Sequence, residues 1–254
     1  MNPDILALIV APLIFACGLL GLSIRAWEPP NDTTDDTRDL INRTTGLVAT
    51  LSALALGLLV SSANTFYNNQ KTALEVVSAK TVQLDRLLGR IGPQTAPSRE
   101  ILKGVLQESY DRAWGSHRYS ASLPPADLTG ATMDRLYLSL TTLRDASPPD
   151  ETYLLNRACD LVATIEDQRM QIALQVRNAI VWPLLVMLIT WTSLLFFGFG
   201  VVGRLNLTSV LVMAVGAFAV GSAVFMIVEL SAPYRGLLRI EPTPVLDAIA
   251  AIGK

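Results

Sequence analysis

The sequence predicts an all-α integral membrane protein, with four transmembrane helices and a helical cytoplasmic insert between spans two and three. Three observations carry this expectation. The chain has 254 residues, of which 51% are hydrophobic, and its mean hydropathy of +0.41 is too high for an ordinary soluble domain. The apolar residues gather into four blocks, 5–24, 44–66, 179–201 and 206–228, each near the roughly 20 residues that cross a bilayer as a helix. Between the second and third blocks, apolar residues recur every three or four positions, the spacing of amphipathic helices. The expected division is 1–66 for transmembrane helices 1 and 2, and 67–178 for a cytoplasmic helical domain extending from spans 2 and 3. Residues 179–228 then hold transmembrane helices 3 and 4, and 229–254 a tail at the membrane surface.

The first span contains Pro12, which a membrane helix tolerates, and is followed by Arg25 and Trp27 as interfacial anchors. Ile14-Phe15-Ala16-Cys17 loosely resembles a lipoprotein cleavage box. The acidic start and the apolar residues beyond it favour a retained span. The next loop carries Asp32, Asp35, Asp36 and Asp39 against Arg38 and Arg43. It reads either as a solvated connector or, in an oligomer, as a ring of negative charge at a pore mouth.

The second span organises the chain. Gly46, Thr50, Ala53, Gly57, Ser61 and Asn64 share one helix face, and Asn68 extends the line beyond the apolar block. A small, polar face of this kind belongs against protein or water, and lipid is a poor partner for it. It suits ion passage, because hydroxyls and amides replace hydration water. It also suits close helix packing with hydrogen bonds between helices. The helix continues without a breaker to Gly92-Pro93, with Leu74, Val77, Thr81, Leu84, Leu88 and Ile91 as a coiled-coil-like seam.

A turn with Ser98 as its cap leads to a helix over 98–115, bearing Ile101, Leu102, Val105, Leu106, Ala113 and Trp114. A loop follows, and then a helix over 129–145 with Met133, Leu136, Tyr137, Leu140 and Leu143. Pro148-Pro149-Asp150 opens a long helix with Leu154, Ala158, Leu161, Ile165, Ile172 and Val176, which runs into the third span with Pro183 near the junction. Its simplest partner is the seam of the second-span helix, in an antiparallel pair. The third span is bulky and aromatic, as a lipid-facing helix is. The fourth carries Ala214, Ala217 and Gly221 on one face, a pattern for close approach. Glu229 sits at its end, near Arg235 and Arg239, which can snorkel to headgroups. Glu229 is then either paired with Arg235 across the interface or separately solvated.

Positive charge sets the orientation. Lys71, Lys80, Arg169, Arg177, Arg235 and Arg239 flank the spans on one side, against Arg25, Arg38, Arg43 and Arg204 on the other. This places the insert and both termini in the cytoplasm of a bacterial inner membrane. Net charge is −2, with no basic face for nucleic acid. Cys17 and Cys159 are too far apart in the expected fold to bridge. His117 is the only histidine, so no Cys/His metal cluster is expected. No cofactor motif, nucleophile elbow or glycine-rich phosphate loop is present, and no enzyme activity or catalytic residue is expected.

Over nearly its whole length the chain resembles a bacterial bestrophin-like family of uncharacterised four-span membrane proteins, a domain of unknown function. The resemblance lies in TGLVATLSALALGLLVSSANTFYNNQKTALEVVSAKTVQLDRLL and in the tail ELSAPYRGLLRI with Pro242 and Pro244. Bestrophins are pentameric anion channels whose second span lines the pore. The resemblance therefore implies a homo-oligomer, a pentamer by analogy, conducting inorganic ions past Thr50, Gly57, Ser61, Asn64 and Asn68. The chain departs from that pattern in two ways. The second span has aromatics only at its end, Phe66 and Tyr67, and no acidic run follows Glu229, so a calcium clasp is not expected. The acidic first loop favours cations at its mouth. The alternative is a non-conducting structural or signalling protein whose cytoplasmic helices bind a partner.

Overall fold

In a computed structural model of the chain, residues 3–27, 35–115, 126–177, 181–203, 205–234 and 237–253 are described. Eight α-helices follow in order: α1 Pro3–Trp27, α2 Asp35–Ile91, α3 Ala96–Trp114, α4 Ala126–Ala146, α5 Pro149–Arg177, α6 Trp182–Val202, α7 Leu207–Leu230 and α8 Thr243–Ala251. No strand occurs among the described residues. Helices α2, α6 and α7 are long and apolar enough to cross a membrane, and the apolar stretch found in α1 is the shorter Ile9–Ile24. The chain divides into two units, Met1–Tyr67 with Ala179–Ala232, and Asn68–Asn178 with Pro233–Lys254.

In the first unit α1 packs on α6 and α7. Its core joins Val10 and Ile14 of α1, Leu59 and Ala63 of α2, Leu185, Leu188, Leu195 and Phe196 of α6, and Ala217, Val224 and Ile227 of α7. Glycines set the closeness of these helices. A Cβ on Gly200 would lie 2.4 Å from the Gly18 carbonyl oxygen, and one on Gly21 would lie 2.3 Å from that of Phe197. The expected small face of α7 does the same work, since a Cβ on Gly221 would meet the Ala11 Cβ at 2.5 Å. The lipid-facing reading of the third span is therefore half the account. Leu185, Leu188, Thr192, Leu195, Phe196 and Gly200 are buried, while Val186, Met187 and Leu194 are exposed. Pro183 lies in the first turn of α6, where its missing N–H costs no helical bond, so it opens a helix instead of kinking one. The acidic loop also shortens. α2 begins at Asp35, because no breaker follows and acidic residues suit the positive end of the helix dipole.

In the second unit the α2 seam is buried at Leu74, Thr81, Leu84, Leu88 and Ile91. Gly92 stops the helix at φ 129, a backbone conformation that favours glycine, and Pro93–Thr95 form a 3-10 turn. Thr95 turns its hydroxyl toward the carbonyls of Leu88 (2.7 Å) and Gly92 (2.8 Å), satisfying the helix end. Ser98 is not the cap expected for α3. Thr95 holds that position, and Ser98 is buried one turn inside, 2.8 Å from the Ser139 hydroxyl of α4. On α5 the buried face includes Leu155 and Val162 as well as Ala158, Leu161 and Ile165, whereas Tyr137 of α4 is exposed. Gln70 Nε2 donates to Gln175 Oε1 at 3.0 Å and Gln94 Nε2 to Glu151 Oε2 at 3.3 Å. The turn that follows α2 thus meets early α5, while Gln70, far back along α2, meets late α5, which is the antiparallel arrangement the seams imply.

Candidate pore-lining surface

The apolar part of α2 has three faces. One is packed into the first unit through Ser52, Leu59 and Ala63, flanked by the half-buried Val48, Ala49, Ala55, Leu56 and Val60. A second carries Leu47, Leu51, Leu54 and Leu58, all exposed, with Leu54 at 72%. The third carries Gly46, Thr50, Ala53, Gly57, Ser61 and Asn64, and every one is exposed. Asn68, on the same line in the second unit, is exposed as well. At 100° per residue the small polar face and the leucine face lie about 90° apart.

No described residue covers the small polar face. Among the described residues, a Cβ built on Gly46 or Gly57 would find no atom within 4 Å, so neither glycine is there to admit another described helix of the chain. The chemistry of the face is that of neutral dipoles. Thr50 turns its hydroxyl toward the carbonyls of Leu47 (2.8 Å) and Gly46 (3.0 Å), leaving oxygen lone pairs outward. Ser61 adds a hydroxyl and Asn64 an amide, each able to donate and accept.

The remaining charged candidates disperse. Asp35 and Asp36 open α2. Asp39 is exposed and lies 3.7 Å from Arg43, one turn on. Asp32, Arg235 and His117 lie outside the described residues, so the pairing of Glu229 with Arg235 does too. Glu229 is 5% exposed, so it is not a separately solvated charge. Arg239 is exposed. Among the described residues no group of His, Cys, Asp and Glu side chains is placed to hold a metal ion.

The second unit contains polar groups that the sequence reading took as surface or passed over. Asp85 is buried on the α2 seam and accepts from Arg99 Nε at 2.7 Å and Nη2 at 2.8 Å, and from the Gly253 N–H at 3.3 Å. Burial pushes its carboxyl up, but hydrogen bonds from Arg99 and Gly253 and the Arg99 charge outweigh this and hold it below its usual value. Gln70 is fully buried and accepts from the Tyr234 hydroxyl at 3.2 Å. Trp114 packs edge-on to the Tyr234 ring and donates Nε1–H to the Ile240 carbonyl at 3.0 Å. The tail segment is thus held by side chains of α2 and α3. The signal for Asp85 was in the sequence, four residues after Thr81 and three before Leu88, directly beside the seam residue Leu84.

These helices define a membrane protein class. A profile of the Bestrophin-like domain matches residues 10–245, and the chain belongs to that family. No curated protein matches it. Its backbone is similar to crystal structures of a bacterial bestrophin homologue from Klebsiella pneumoniae. One single-substitution variant has a TM-score of 0.71 at 14% identity, covering 99% of this chain and 97% of that one. A structure of the homologue phased on zinc has a TM-score of 0.68 at 13% identity, covering 96% of each chain. At such identity the likeness is one of fold.

Proposed function

We propose that the chain is one protomer of an ion channel in a bacterial inner membrane. In this reading α1 joins α2, α6 and α7 as a fourth span, and residues 67–178 and both termini are cytoplasmic. The tail over 229–254, with Glu229 and Arg239, lies at the membrane surface. Thr50, Gly57, Ser61, Asn64 and Asn68 line the ion path. The observation that carries the proposal is the small polar face of α2, exposed over its whole length and lined by glycines that meet nothing. Hydrocarbon would leave the Asn64 amide and the outward lone pairs of the hydroxyls unsatisfied, whereas a ring of such faces around an axis would give ions replacement ligands. By analogy with bestrophins the ring is a pentamer. Asp32, Asp35, Asp36 and Asp39 then form negative charge at one mouth.

The test is reconstitution of the purified oligomer into planar bilayers, with wild type compared against Ser61→Trp and Asn64→Ala. The reading expects conductance that Ser61→Trp blocks and Asn64→Ala changes in amplitude or selectivity. Equal currents in all three would remove this face from the pore. A silent protein under chloride and potassium gradients would favour a structural or signalling role for the cytoplasmic helices.

A further inference from the structure

Arg112 and Arg169 form a polar cluster in the second unit that the channel reading does not use. Ser109 and Arg112 are three residues apart on α3 and so share a face. From α5, Arg169 Nη2 donates to Ser109 Oγ at 3.0 Å. The serine's own proton goes to the Val105 carbonyl at 2.7 Å. Arg112 pairs through Nη2 with Glu108, one turn back. Its Nη1 is buried and makes no hydrogen bond. Arg169 forms no ion pair among the described residues. Glu166, one turn away on α5, acts on it only through space.

The formal charges of Arg112, Arg169, Glu108 and Glu166 cancel, but the hydrogen bonds do not. Each guanidinium offers five N–H donors in a planar fork, and the two together meet one carboxylate and one hydroxyl oxygen. Burial pushes Arg169 down, Arg112 adds like-charge repulsion, and Glu166 opposes both. Neither guanidinium can shed its proton to relieve the conflict. What the cluster lacks is a compact group with several acceptor oxygens and negative charge. The Arg112 side chain is 25% exposed although its Nη1 is buried, so a ligand from solvent meets the side chain on its exposed part.

We propose that Arg112 and Arg169, together with Ser109, form a binding site for a small oxyanion of the phosphate class. A tetrahedral oxyanion presents pairs of oxygens that match the guanidinium fork. A halide presents one point of charge, so chloride is a poor fit.

The probe is inorganic phosphate, added to the detergent-purified full chain and compared with sodium chloride at equal ionic strength. A ligand that binds only the folded state raises Tm with its concentration. Wild type is expected to show a saturable rise with phosphate and none beyond screening with chloride. Arg169→Gln is expected to lose that rise. The same rise in Arg169→Gln, or an equal effect of chloride, would overturn the site. Should Arg169→Gln not fold, Arg169→Lys keeps the charge and loses the fork. Equilibrium dialysis is then expected to give about tenfold weaker phosphate binding, and unchanged binding refutes the proposal. Neither measurement depends on whether the protein conducts.

Discussion

Removal of the Asp85 carboxylate should destabilise the second unit. Its side chain is 4% exposed and that of Arg99 is 26% exposed. The carboxylate accepts two bonds from one guanidinium and one from the Gly253 backbone. Breaking a fully buried pair costs about 3–5 kcal/mol, because the surviving charge is left without a partner. Here the survivor is a guanidinium with a quarter of its surface in water, which recovers part of that loss. We expect Asp85→Ala to cost about 2–3 kcal/mol after this discount. The cost should appear where the bonds were. Amide exchange in α3 and α8 should accelerate by about 30-fold for 2 kcal/mol, measured by hydrogen-exchange mass spectrometry on the intact protein. Helices α6 and α7 should keep their protection.

The pair also sets a pH dependence. The folded carboxyl lies below its ordinary 3.8, so folding is linked to the release of its proton. Its contribution is complete above about pH 5 and fades as pH falls through the folded value. Protection in α8 should weaken on acidification in wild type and be flat with pH in Asp85→Ala. The double change Asp85→Leu with Arg99→Met, which leaves no orphan charge, should recover most of the loss. Protection in Asp85→Ala equal to wild type, or no recovery in the double variant, would refute the reasoning.

Gly200→Ala places a methyl against the Gly18 carbonyl and the Leu22 nitrogen, both backbone, so α1 and α6 must separate. We expect about 1–3 kcal/mol of destabilisation, read as a lower Tm in detergent, and a Tm equal to wild type would contradict the close crossing. Ser52 is buried with its hydroxyl oxygen unpartnered, so Ser52→Ala should be neutral or stabilising by up to about 1 kcal/mol, and a clear fall in Tm would reveal a partner for that hydroxyl.

How much of this was legible depended on which physical signal each residue gives. The helices were legible because α2 and α5 repeat apolar residues every three or four positions, and because Gly92-Pro93 is a stop. The exposed face of α2 was legible for the same reason, since Thr50, Gly57, Ser61 and Asn64 fall on one line. Close crossings were legible only where small residues recur four apart, as at Ala217 and Gly221. Gly18, Gly21 and Gly200 are fixed by which helices meet, and spacing within one helix cannot say that.

The polar residues gave the least local signal. Arg112 follows Asp111 in the sequence, yet its ion partner is Glu108 one turn back. Asp85 and Arg169 are more instructive. Asp85 sits beside the seam residue Leu84, and Arg169 between Ile165 and Ile172, where the apolar line calls for another apolar residue. A charged residue in such a gap must either break the helix pattern or bring its own compensation. Asp85 is compensated within the chain by Arg99 and Gly253. Among the described residues Arg169 reaches only a neutral serine, and that difference singles it out as the position without an ion pair there.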